Sequence, residues 1–168
     1  MVLKLLFISW LIVMTIQDFK YRAIVWYAFP IGFIIIASYG LNQSDYGQLY
    51  RNILINAGFV TFQLAMVTVY YTLKNKKFTN IFKKHIGIGD LLFLMLITPA
   101  FSPGNFIVFI MLSNFITLLS AFIFILFREL KQIPLAGAMA SILFFVLIVS
   151  LFFDFDLYSD QWILNWLA

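Results

Sequence analysis

Cysteine is absent from all 168 positions of the chain, which excludes disulfides, thiolate zinc sites and cysteine nucleophiles. Charge is almost as scarce. Only 11% of residues are Asp, Glu, Lys or Arg, against roughly a quarter in soluble domains. Too few polar groups exist to coat a water-facing surface. No internal repeat or low-complexity tract breaks the sequence. What the chain has in their place is apolar mass: 64% hydrophobic residues, with 21 phenylalanines, and a mean hydropathy of +1.01. These figures predict an all-α integral membrane protein, one polytopic unit over 1–168. The net charge of +4 does not signal nucleic acid, because the cations sit in short stretches between apolar runs, as membrane topology distributes them.

A helix needs about 20 apolar residues to cross about 30 Å of hydrocarbon. Six stretches are expected to do so, at about 2–17, 24–41, 52–73, 88–102, 104–127 and 133–153. The first carries one cation, Lys4, and no small-residue cleavage site before Asp18, so it reads as a retained span and not as a signal peptide. The tail from Ser159, with Trp162 and Trp166, reads as interfacial.

Cations sort by side. Lys20, Arg22, Lys74, Lys76, Lys77, Lys83, Lys84, Arg128 and Lys131 fall after spans one, three and five; only Lys4 and Arg51 of the 11 Lys and Arg fall on the opposite side. By the positive-inside rule both termini are expected outside, as are Asp154, Asp156 and Asp160. Trp26, Tyr27, Tyr70 and Tyr71 would mark the inner interface, and Tyr39, Tyr46, Tyr158 and Trp162 the outer one. The basic loop Lys74–Lys84 is expected to meet anionic headgroups of the bilayer.

This orientation puts Asp18, at the inner end of span one, and Asp90, at the inner start of span four, on one side. Span four is short: Asp90 to Phe101 makes roughly 18 Å of helix before Ser102-Pro103-Gly104 turns the chain. Asp90 therefore lies at some depth, and Gly87 and Gly89 allow an unwound approach to it. Carboxylates at membrane depth are costly and mark functional sites. As a pair they suit amide hydrolysis, because like charges in contact share one proton. The ionised member takes a proton from attacking water while the protonated member donates to the carbonyl oxygen, with no metal or cofactor required. Either aspartate alone is equally a helix-end residue, with Asp90 as a cap.

Three stretches resemble the prepilin peptidases, the GxGD intramembrane aspartic peptidases of type IV pilus systems. Asp18-Phe19-Lys20-Tyr21-Arg22-Ala23-Ile24 is similar to the first motif, Gly87-Ile88-Gly89-Asp90 matches GxGD, and Ile133-Pro134-Leu135-Ala136-Gly137 resembles the start of the last helix, where proline suits a first turn. The resemblance implies a multi-pass protein of a prokaryotic inner membrane. It would act as an endopeptidase with Asp18 and Asp90 catalytic, supported by Gly87, Gly89 and Pro134, and cut a short basic leader from a prepilin-like precursor next to its hydrophobic helix. The chain departs from the family pattern at Val25 and Trp26, where Pro-Asn is usual, and at Leu92, where Lys is usual. It matches the short form without a zinc-binding methyltransferase loop, so no N-methylation is expected.

The remaining polar residues have plainer readings. Glu129 is expected to pair with Arg128 or Lys131, or to meet a substrate cation, and His85 to be solvated among lysines. Pro30 is expected to kink span two and Pro99 span four, and Asn105 and Asn114 to hydrogen-bond between helices. Two other functions fit the same residues: a divergent relative that binds pilin-like helices without cutting them, and a small proton- or cation-coupled transporter.

Overall fold

The computed structural model describes residues 2–77, 87–127, 134–153, 156–162 and 165. Every described element is helical: α1 (Val2–Tyr21), α2 (Ala28–Gln43), α3 (Tyr46–Asn75), α4 (Ile88–Leu96), a 3₁₀ turn (Thr98–Ala100), α5 (Pro103–Phe127) and α6 (Leu135–Phe152). The helices alternate in direction and expose large apolar side chains outward, among them Phe62, Met66, Phe115, Phe122 and Phe145. Such a surface fits lipid and not water. The chain is a membrane-embedded multi-pass helical protein.

Four of the helices are long and apolar enough to cross a membrane: Val2–Tyr21, Tyr46–Asn75, Pro103–Ile123 within α5, and Leu135–Phe152. The other two apolar segments, Ala28–Gln43 and Ile88–Ala100, are shorter. At 16 residues, α2 reaches only about 24 Å. The six expected spans thus resolve into four full-length helices and two short ones.

Local chemistry explains the boundaries. Pro30 lies in the first turn of α2, whose cap position is Tyr27. An amide there has no intrahelical acceptor to lose, so the expected kink does not occur. Pro99, in contrast, ends the fourth segment. It cannot donate to the carbonyl of Met95, which accepts instead from the Thr98 hydroxyl at 2.8 Å, and the chain tightens into the 3₁₀ turn. Pro103 then starts α5, where its missing donor costs nothing.

The N-terminus of α5 is capped from far along the sequence. The Asp160 carboxylate accepts from the Ser102 hydroxyl (2.6 Å) and from the amides of Gly104 (3.2 Å) and Asn105 (3.0 Å). The Asn105 side chain donates to the carbonyls of Asp156, Leu157 and Ser159 and accepts from the Trp162 indole. Asn105 therefore anchors the segment 156–162 and does not bridge two helices; the Asn114 side chain makes no hydrogen bond among the described residues. Tyr39 and Tyr158 pack inside the bundle. Both are buried, with ring centroids 6.0 Å apart and the Tyr158 hydroxyl donating to the carbonyl of Pro99 at 2.9 Å. Asp160→Ala strands the amides of Gly104 and Asn105 at this junction, while the Ser102 hydroxyl keeps the Leu157 carbonyl at 3.1 Å. An expected loss of about 1–3 kcal/mol would appear as a lower unfolding midpoint in detergent.

The core joins α1 to α6 and α4. Phe7, Leu11 and Met14 of α1, Phe93 of α4 and Ala140, Leu143 and Leu147 of α6 are inaccessible to solvent. The pair α1/α6 is antiparallel and pinned at both ends, by Lys4 Nζ donating to the Ser150 carbonyl (2.8 Å) and by the Gly137 amide donating to Asp18. Trp10 lies across α2, where its indole N–H donates to the Ala28 carbonyl (2.9 Å) and its ring stacks on Phe93. A Cβ on Gly32 would stand 2.3 Å from the indole. Gly32→Ala is therefore expected to lose about 1–3 kcal/mol by overpacking, more than the helix-propensity gain of about 1 kcal/mol returns, and a thermal melt in detergent measures the difference.

Candidate active site

One end of the bundle gathers the C-terminus of α1 and the N-termini of α2, α4 and α6. Asp18 lies in the last turn of α1, on the face that packs against α6, and is 8% exposed. Asp90 lies in the first turn of α4 and is half-buried. The two side chains converge on adjacent amides at the start of α6. Ala136 N–H donates to Asp90 Oδ1 at 2.8 Å, and Gly137 N–H donates to Asp18 Oδ2. Residues 18, 90 and 136–137, remote in sequence, thus form one cluster.

Each part of the cluster has a local cause. The first amides of a helix lack intrahelical acceptors and lie at the positive end of its dipole, so α6 offers two donors that carboxylates satisfy. Gly87 adopts an extended backbone ahead of α4, and its own N–H donates to Asp90 Oδ2 at 3.2 Å. Both oxygens of Asp90 are thereby held. Gly137 serves by its missing side chain: a Cβ there would lie 2.9 Å from both Cβ and Oδ2 of Asp18. Only glycine lets α6 approach that closely. Pro134 stands one position before the first residue of α6, and its carbonyl accepts from Ala138 at 3.1 Å; it precedes the first turn expected for it. A Cβ added to Gly89 would meet Ile24 of the α1–α2 connection at ordinary contact distance.

Asp18 differs from Asp90 in one respect. Its second oxygen, Oδ1, has no hydrogen bond among the described residues. Leu92, at the position where a cation is usual in the resembling family, is 43% exposed. No group of three or more His, Cys, Asp and Glu forms among the described residues; the donor set at this end is two carboxylates and backbone amides. Glu129, His85, Lys83, Lys84, Arg128, Lys131, Asp154 and Trp166 lie outside the described residues.

The opposite end of the bundle holds a polar cavity of about 510 Å³, lined in part by Gln43, Arg51, Asn52, Asp156 and Asp160. None of the expected catalytic residues borders it. Arg51 and Lys4 thus share the end away from Asp18 and Asp90, while Lys20 and Arg22 share the aspartates' end.

Sequence reasoning finds the two aspartates and the glycine motif but misses the amides of Ala136 and Gly137 as their common partners. The available signal was the small pair Ala136-Gly137 just after a proline, which marks a helix N-terminus that another group can approach closely. Comparison with protein-family models, curated proteins and solved structures returned no match.

Proposed function

We propose that the protein is an intramembrane aspartic endopeptidase of the prepilin-peptidase type, with Asp18 and Asp90 as its dyad. The observation that carries this reading is the convergence of the two carboxylates on adjacent amides of α6, at the end of the bundle that bears Lys20 and Arg22. On this reading the bundle crosses a prokaryotic inner membrane six times, with both termini outside and the dyad at the cytoplasmic face. The substrate is a prepilin-like precursor, whose short basic leader meets the headgroup layer while its apolar helix lies in lipid.

The chemistry follows from a shared proton. Water attacks the scissile carbonyl carbon and loses a proton to the ionised carboxylate, while the protonated carboxyl donates to the carbonyl oxygen. The tetrahedral intermediate then collapses, the C–N bond breaks, and the leaving nitrogen takes the proton from the carboxyl that had collected it. One proton returns to the pair, which ends as it began. The amides of Ala136, Gly137 and Gly87 hold the carboxylates in place through the cycle, and the second Asp18 oxygen is the one that reaches the water.

A second reading, binding without cleavage, draws on Asp90, both of whose oxygens already hold backbone amides, and on Leu92, which supplies no charge. Incubating the purified protein with a precursor carrying a basic leader and an apolar helix separates the two. A shortened product is the expected result; a stable uncleaved complex would favour the binder.

A further inference from the structure

The connection between α1 and α2 is held at three points. Arg22, with a left-handed φ of 50°, donates its N–H to the Asp18 carbonyl at 2.9 Å. The Val25 N–H donates to the Gln17 side chain at 3.2 Å, and the Val25 carbonyl accepts from Ala28 at 2.9 Å. The Ile24 side chain is half-buried and reaches the first turn of α4, with Cδ1 3.9 Å from where a Cβ on Gly89 would lie. The segment thus leaves the helix that carries Asp18 and lies against the turn that carries Asp90.

Between those ties, the N–H and C=O groups of Ala23 and Ile24 have no hydrogen-bond partner among the described residues. A peptidase working at membrane depth faces the matching problem in its substrate. A helix must be unwound before its amide can be attacked, and each backbone group released in a water-poor layer costs several kcal/mol if left unpaired. A fixed run of open main-chain donors and acceptors beside the dyad answers that need, as sheet edges do when they add an extended peptide.

We infer that Ala23 and Ile24 form the main-chain edge on which the unwound backbone of the substrate docks next to Asp18 and Asp90. This inference rests on the peptidase reading. It assigns recognition at the cut to backbone hydrogen bonds, which any unwound peptide can make, and leaves the half-buried Ile24 side chain to set the depth of the edge against the first turn of α4.

The test uses the full chain carrying both Asp18→Asn and Asp90→Asn, which holds substrate without cutting it, together with a precursor bearing a basic leader and an apolar helix. Amide hydrogen exchange in detergent is expected to slow by at least about tenfold at Ala23 and Ile24 when the precursor is added. In the otherwise native chain, Ile24→Pro removes one edge donor while Ile24→Ala removes only the side chain. The proline variant is expected to raise KM about tenfold over the alanine variant, the value of roughly one hydrogen bond, with kcat changed less. Cleavage by the native chain without protection at these amides, or equal KM for the two variants, would overturn the edge and leave the peptidase standing. Neither binding nor cleavage of the precursor would overturn both.

Discussion

Asp18→Asn and Asp90→Asn are each expected to reduce precursor cleavage by at least about 10³-fold while the protein still inserts and folds. Positioned acid–base groups contribute about 10²–10⁴-fold each, and members of a dyad fail together because the reaction needs one ionised and one protonated carboxyl at the same time. Asparagine keeps the size of the side chain and an acceptor oxygen, so the Gly137 and Ala136 amides retain a partner and α6 stays docked. The measurement is conversion of precursor to shortened product at matched amounts of folded protein, read beside an unfolding midpoint. Cleavage retained by both variants would end the assignment. A midpoint that collapses with either substitution would instead mark the aspartates as structural staples for α6.

The second large effect is expected at a residue with no chemistry of its own. Gly137→Ala places a methyl group 2.9 Å from Cβ and Oδ2 of Asp18, a contact that backbone-borne atoms do not tolerate. Either α6 retreats or the carboxylate turns away, and a displacement of about 1 Å at a reacting group can cost on the order of 10²-fold in rate. Gly58→Ala is the control. A Cβ there meets nothing within 4 Å, so it should leave activity unchanged and gain up to about 1 kcal/mol in helix propensity. If Gly137→Ala cleaves as fast as the Gly58 variant, the close approach of α6 to Asp18 is not what holds the dyad.

Much of this arrangement could be read from residue order. Asp18 and Asp90 share one end because two helices, α2 and α3, run out and back between them, and Lys20 and Arg22 lie beside Asp18 at that end. The short fourth segment follows from Pro99, since a missing donor four residues after Met95 must end a helix. What composition could not reveal is who receives the carboxylates. Backbone amides carry no side-chain signature, so Ala136 and Gly137 become visible as partners only once α6 is packed against α1. Asp160 escaped for a similar reason: at 55 residues from the Asn105 amide it caps, it reads as an ordinary hydrophilic residue of a tail. Pro30 misled because the same residue breaks a helix from inside and starts one from its first turn, and two or three residues of boundary decide which.

The clasp between Asp18 and Gly137 joins groups 119 residues apart, and this has a consequence for biosynthesis. A nascent chain releases both acidic residues from the ribosome well before α6 is inserted. Until α6 arrives, Asp18 lacks the Gly137 amide, Asp90 has only the local Gly87 amide, and the two have no common anchor. On the peptidase reading the chain is inert until α6 closes against α1, so a copy that has not yet gained α6 cannot cut neighbouring precursors.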